Sequence, residues 1–304
     1  MARPKPDWIR EELSGVDRQH HAVHDTVADQ SLTTVCEEAS CPNREECWAQ
    51  ERTASFMIHG DTCTRNCDFC DVPTGVPNAP DPTEPDRLAN AVEDLDLDYV
   101  VVTSVDRDDL PDEGATHFAE CIKAVKNRTP ETTIEVLIPD FKGSKSALET
   151  IVDADPDVIG HNVETVRRLQ GEIRDPRAGY YQSLSVLEGV KKIDPSIFTK
   201  SSLMVGFGEQ PDEVKAAMED LRGAAVDFLT IGQYLRPSGD HPEVESYVPP
   251  DQFDEYETYG EEVGFQYVAA APTVRSSYKA GELFVQNGLD GDLEPDRLTS
   301  SARF

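Results

Sequence analysis

The sequence predicts an α/β protein built as an open, partial (β/α)6 barrel with an extension at each end. Three observations carry this expectation. From about residue 53 onward, six runs rich in Val, Ile, Thr and Phe alternate with six amphipathic runs of helical period, the pattern of a parallel sheet with helices outside. Six units fall short of the eight that close a full barrel. Several strand runs end in polar residues, as in TSVDRDD, PDF and HNVET, which a ligand pocket at the C-terminal mouth needs.

Taken in order, the strand runs are SFMIHG (55–60), YVVVTSV (99–105), TIEVLIPDF (133–141), DVIGHNVET (157–165), FTKSSLMVGF (198–207) and DFLTIGQYL (227–235). The helical runs between and after them are EPDRLANAVEDL, ATHFAECIKAVKNR, SKSALETIVDA, YYQSLSVLEGVKK, DEVKAAMEDLRGAA and PDQFDEYETYGEEVG, with apolar residues at three- and four-residue spacing. The Pro-rich stretch 71–87 reads as a stiff loop rather than a domain boundary. Three segments result. Residues 1–52 form an N-terminal extension without strand pattern, 53–265 the partial barrel, and 266–304 a C-terminal extension that includes RSSY at 275–278.

With 304 residues and 38% hydrophobic content, the chain is long enough for a large core. No run of 18 apolar residues occurs and the N-terminus has no apolar signal core, so the expectation is a cytoplasmic protein without a membrane span. There are 59 acidic against 28 basic residues, a formal net charge of -31. Phosphate and anionic lipid contacts need the opposite balance, which excludes nucleic acid and membrane surfaces as partners. The acids are spread along the whole chain, as on a halophilic surface where salt screens the charge.

Six of the seven cysteines lie between positions 36 and 70. Reduced thiols crowded in this way point to metal or redox chemistry. Cys63, Cys67 and Cys70 in GDTCTRNCDFC are spaced C-x3-C-x2-C directly after the first strand run, hence in the first βα loop at the mouth. Three thiolates can hold three irons of a cubane cluster and leave the fourth iron open. An open iron binds amine and carboxylate groups, which S-adenosylmethionine carries, and Phe69 adds an aromatic face for an adenine ring. A zinc site completed by a distant ligand such as His59 is the alternative. Cys36, Cys41 and Cys47 form a second trio, C-x4-C-x5-C, again without a fourth thiol; a zinc-braced extension is the alternative there. Cys121, inside a helical run, reads as a small buried hydrophobe.

GDTCTRNCDFC is similar to the signature of the radical S-adenosylmethionine enzymes. Paired with CEEASCPNREECW and RSSY, it resembles the lipoyl synthase family, and VVTSVDRDDLPDEGATHF, HNVETVRRL, TKSSLMVGFGE and LTIGQYLRPSGDHPEVESYV agree, so the resemblance runs from about residue 30 to 285. It implies a barrel of the radical SAM type with two [4Fe–4S] clusters. Cys63, Cys67 and Cys70 would hold the catalytic one, with S-adenosylmethionine on its open iron. Cys36, Cys41 and Cys47 would hold the auxiliary one. Ser277, with Ser276 in reserve, would supply that cluster's fourth ligand, and Arg275 would sit beside it. The implied activity is radical insertion of two sulfur atoms at C6 and C8 of an octanoyl group, with the auxiliary cluster as sulfur donor. The acyl group would be carried on a lysine of a lipoyl carrier domain, an E2 subunit or the glycine-cleavage H protein. A low-potential electron donor is a further implied partner. Thr103, Ser104 and Asp106 after the second strand run, and Asn162 and Glu164 after the fourth, are expected to contact S-adenosylmethionine; Lys200 and Ser202 are expected at the far end of the barrel.

Overall fold

The structure is a computed structural model and describes residues 4–12, 26–35 and 53–277. In chain order its elements are α1 (Asp7–Glu12), β1 (Thr33–Thr34), β2 (Thr53–Ile58), α2 (Glu84–Asp94), β3 (Tyr99–Ser104), α3 (Ala115–Arg128), β4 (Thr133–Leu137), α4 (Lys145–Val152), β5 (Val158–Gly160), α5 (Gln170–Ile173), α6 (Tyr180–Ile193), β6 (Phe198–Val205), α7 (Pro211–Gly223), β7 (Phe228–Gln233), α8 (Pro250–Glu262) and β8 (Tyr267–Ala270). Among the described residues the strands form one eight-stranded sheet in linear order from β1 to β8. From β2 to β8 every pairing is parallel, while β1 runs antiparallel to β2. The sheet is an open barrel, as the six βα units predict, with one strand added at each end.

The two added strands mark where periodicity is too short to read. β1 pairs Thr33 with Met57 and Thr34 with Phe56, so the N-terminal segment does contain a strand, contrary to expectation. Two residues cannot display an alternation. β8 continues the parallel sheet beyond residue 265, into the segment assigned to the C-terminal extension; its YVAA run is short and half alanine. β5 spans three residues rather than the nine of DVIGHNVET: its regular pairing stops at Gly160, and the run touches β6 again only at an isolated Glu164–Leu203 bridge.

The strands are continuous apolar runs because both faces are covered. On one side of the sheet, Leu88 and Val92 of α2, Phe118 and Ile122 of α3 and Ile151 of α4 pack with Phe56, Val100, Val102, Val136 and Ile159. Further round, Met218 and Leu221 of α7 and Phe253 of α8 pack with Leu203, Leu229, Ile231 and Val268. Burying each of these side chains contributes about 1.5–3 kcal/mol. Local chemistry starts the helices: Ser144 caps α4 through the Ala147 amide, and Gln210, Pro211 and Glu213 form a capping box with proline at the first turn of α7.

At the N-terminal half of the strands the barrel is plugged. Lys200 Nζ lies 3.0 and 2.8 Å from the two oxygens of Glu135, and Tyr99 donates its hydroxyl to the same carboxylate at 2.7 Å. Phe198 stacks on Phe228 below them, centroids 5.2 Å apart. Lys200 therefore stands at the far end, as expected, but Ser202 does not. It lies one layer higher on the same face of β6, where it lines the cavity described next.

Candidate active site

A cavity of about 370 Å³ opens above this plug, at the C-terminal ends of the strands. Cys63, Cys67, Phe69, Cys70, Thr103, Ser104, Asp106, Asn162, Glu164, Arg275 and Ser276 all line it. Ser277 is the last described residue and is half-buried, but it is not part of the lining. Cys36, Cys41 and Cys47 lie outside the described residues. Val35, which directly precedes Cys36, lines the cavity, carried there by the pairing of β1 with β2.

The cysteine loop is held from several sides. The Cys63 amide donates to Pro73 O at 2.8 Å and its carbonyl accepts from Gly75 N at 2.9 Å; Asp68 N donates to Ile173 O at 2.9 Å. Three backbone amides point at sulfur: Arg65 N and Asp106 N at Cys63 Sγ, and Asp175 N at Cys67 Sγ, each at 3.4 Å. Burial, helped by the nearby Asp106 carboxylate, pushes the Cys63 thiol up to about 11. Burial also pushes Cys67 up to about 12 and raises Cys70. The thiols thus hold their protons until a metal displaces them, and the amides aimed at sulfur favour the thiolate once it forms.

The cavity is lined by acids and by three arginines, of which Arg65 and Arg174 are in opposite situations. Burial raises Asp106 to about 6, although Arg65 stands 3.4 Å away and opposes the shift. Burial also raises Glu164, opposed by Arg174 and a hydrogen bond from Asn162. Arg65 is saturated by carboxylates. Arg174 is not. Its Nη1 donates to Ser183 Oγ at 2.9 Å and to Gln170 Oε1 at 3.3 Å, while its buried Nε has no partner. Among the described residues it has no carboxylate within 4.0 Å. Behind it, His161 Nε2 meets Ser183 Oγ at 2.9 Å and Nδ1 meets Ile138 O at 2.8 Å. Burial and then Arg174 lower His161 to about 4, so the ring is neutral, donates from Nδ1 to the carbonyl and accepts from the serine. Sequence reasoning missed Arg65, Arg174, Asp140 and His161. Their only signal was position in a βα loop or at a strand end, where polar residues gather.

His59 is not a ligand of the first trio. It is buried, its Nε2 contacts Gly114 O at 3.1 Å, and its ring lies 4.7 Å from His117. Among the described residues, the one set of three or more ligand atoms lying within 4.8 Å of one another is Glu84, His117 and Cys121. There Glu84 already accepts from His59 N at 3.0 Å and meets His117 Nε2 at 2.6 Å, a brace between α2 and α3. Cys121 is fully buried in the core. The sulfurs of Cys63, Cys67 and Cys70 form no such set, so they do not converge as ligands of a single zinc ion would.

Residues 57–221 match the Radical SAM superfamily. A solved structure of Streptococcus suis SuiB bound to S-adenosylmethionine superposes with a TM-score of 0.57 at 11% identity, over 78% of this chain and 52% of that one. The maturase HydG of the [FeFe]-hydrogenase superposes at 0.54 with 12% identity, over 87% and 65%. These two likenesses carry the fold alone. The chain belongs to the Radical SAM superfamily. Its curated relatives narrow this further. It is 53% identical to lipoyl synthase of Methanocella arvoryzae over 93% of this chain and 95% of that protein. It is 54% identical to lipoyl synthase of Caldicellulosiruptor bescii over 91% and 94%, and 52% identical to that of Halobacterium salinarum over 93% and 92%. Within the superfamily the chain is a member of the lipoyl synthase family.

The residues present fit the groups that membership implies. Three thiols spread around one loop, with amides on their sulfurs, suit a cluster. An unpaired buried guanidinium opposite acids suits a ligand that carries both signs of charge, as S-adenosylmethionine does.

Proposed function

We propose that this chain is a sulfurtransferase that inserts two sulfur atoms, at C6 and C8, into an octanoyl group carried on a lysine of a lipoyl carrier domain. Cys63, Cys67 and Cys70 hold a [4Fe–4S] cluster and Cys36, Cys41 and Cys47 an auxiliary one, whose fourth corner falls to Ser277, with Ser276 as the alternative. When bound, S-adenosylmethionine and the first cluster supply the radical that removes hydrogen from carbon, and the auxiliary cluster supplies the sulfur. The protein's own share is binding, orientation and exclusion of water. Arg174 binds the ligand carboxylate, Asp106 and Glu164 face its cationic groups, and Phe69 offers a ring for the adenine. Thr103, Ser104 and Asn162 supply hydrogen bonds at its polar end. Arg275 stands beside the auxiliary site. The three segments 1–52, 53–265 and 266–304 divide the labour: the first and last bring the auxiliary ligands to the barrel that holds the first cluster. A carrier domain, the E2 subunit or glycine-cleavage H protein, delivers the acyl chain, and a low-potential donor delivers electrons. Thiols that must stay reduced suit the cytoplasm.

One observation carries this reading. A single cavity is lined by the first cysteine trio, by the residue preceding Cys36, and by Arg275 and Ser276, so groups bound to the two trios would meet there. The test is anaerobic reconstitution followed by incubation with S-adenosylmethionine, reductant and an octanoylated carrier domain. We expect about eight irons per chain, two sulfurs added by mass, and loss of the auxiliary cluster. Cys36→Ala, Cys41→Ala or Cys47→Ala is expected to abolish insertion while 5′-deoxyadenosine still forms. Insertion that survives any of these changes, or about four irons in the unaltered protein, sinks the reading.

A further inference from the structure

Arg65 stands between two of the cysteines, and its side chain does more than fill space. Its buried guanidinium forks onto two carboxylates. Nε and Nη2 donate to Asp108 at 2.9 and 2.8 Å, and Nη1 and Nη2 donate to Asp140 at 2.8 and 2.7 Å. Asp106 is a third acid, at 3.4 Å. Asp106 and Asp108 follow β3 and Asp140 follows β4, so one side chain ties the cysteine loop to two strand ends. The same residue's amide lies 3.4 Å from Cys63 Sγ, and Asp106 Oδ2 lies 3.8 Å from that sulfur. Burial by itself would raise Asp140 and Asp108, but Arg65 outweighs it and holds both below the usual carboxylate range.

The charges matter because a cluster that accepts an electron becomes more negative. Each uncompensated carboxylate near it opposes that step. Asp106 beside Cys63, with Asp108 and Asp140 gathered on the same guanidinium, would make reduction hard, and the buried Arg65 offsets part of their charge. Asp108 is shared outward with Arg177 at 3.1 Å and Lys142 at 3.7 Å, but both of those are half-exposed and screened by solvent.

We propose that Arg65 is a positioning residue that sets how readily the cluster on Cys63, Cys67 and Cys70 takes up its electron, by locking the cysteine loop onto β3 and β4 and partly offsetting the charge of Asp106, Asp108 and Asp140. This rests on the reading that those cysteines hold a [4Fe–4S] cluster.

The test uses the full chain, reconstituted anaerobically and titrated with dithionite and mediators. The readout is the reduced-cluster electron paramagnetic resonance signal that changes when S-adenosylmethionine is added, which distinguishes this cluster from the auxiliary one. Arg65→Gln is expected to make one-electron reduction about tenfold less favourable, ~59 mV more negative. Asp108→Asn is expected to move the midpoint the opposite way, and the double variant to return towards the starting value. Arg65→Lys keeps the charge without the fork; it is expected to hold the midpoint but to lose iron faster to a chelator. A merely structural role would lower iron content without these opposed shifts. Equal midpoints in loaded proteins, or shifts of the same sign for Arg65→Gln and Asp108→Asn, overturn the inference. If Arg65→Gln retains no iron, Asp108→Asn alone decides, because Arg65 is intact there. If the unaltered protein shows no S-adenosylmethionine-responsive cluster, the cysteine reading itself fails, and the inference with it.

Discussion

At the scale of single residues, the cavity's character comes from which charges are paired. Arg65 is matched by several carboxylates; Arg174 is matched by none among the described residues and leaves Nε bare. A buried cation without a carboxylate against it is costly, which supports the proposal that Arg174 binds an anion. Ser183 and Gln170 fix its direction, and the neutral His161 behind Ser183 keeps a second positive charge away. Charge-assisted hydrogen bonds contribute about 1.5–3 kcal/mol. Arg174→Gln should therefore weaken S-adenosylmethionine binding by roughly tenfold to a hundredfold, measured as a Kd in the cluster-loaded protein. Decarboxylated S-adenosylmethionine should bind the variant and the unaltered protein alike. A loss that is equal for both ligands would show that Arg174 does not meet the carboxylate. Glu164 belongs to the same scale. It sits at φ +66, a strained backbone for a side chain of its size, bridged to Leu203 of β6, and it stands in the cavity wall.

At the scale of elements, the end of β7 is where the RSSY segment meets the barrel. Gln233 N donates to Pro272 O at 3.2 Å and Ala271 N to Ile231 O at 3.1 Å. The approach is close enough that a Cβ on Gly232 would stand 2.0 Å from Val274 O, so only glycine allows the segment to lie there. Gly232→Ala should push residues 272–276 off β7 at a cost of about 1–3 kcal/mol. Because those residues lead into Ser277, the proposed fourth ligand of the auxiliary cluster, and include its alternative Ser276, sulfur insertion should fall at least tenfold. Formation of 5′-deoxyadenosine without acceptor should change far less. A variant that inserts sulfur at the normal rate would separate this segment from the chemistry.

At the scale of the whole molecule, the chain carries a formal net charge of -31. Exposed pairs such as Arg168 with Glu213 and Lys145 with Glu149 contribute little to stability and leave most acids unmatched. Self-repulsion of that kind weakens the compact state. Salt shortens its reach, from about 10 Å at 0.1 M to about 3 Å at 1 M. The thermal midpoint is expected to rise steadily over that range of potassium chloride. A midpoint that is flat or falls with salt would remove the idea that the surface is built for brine. The described residues contain no helix long and apolar enough to cross a membrane.

Much of the fold is written locally. The run ATHFAECIKAVKNR coincides with α3 residue for residue, because helical period, apolar spacing and a following turn are all set by neighbours in sequence. The cysteine loop after the first parallel strand was legible for the same reason. What the sequence by itself determined is therefore the six inner parallel strands with their helices, their order, and the place of Cys63, Cys67 and Cys70 directly after the first of them; the short edge strands β1 and β8 were not among it. Only the tertiary structure decided which distant groups share a charge or a wall: Arg65 with Asp140, 75 positions apart, Arg174 with Asp71, Asp106 and Asp140 from other loops, and Val35 with Ser276 in the lining of one cavity. Those meetings depend on strand register and on the curl of an open sheet. Both are properties of all eight strands together, and no short stretch of chain contains them.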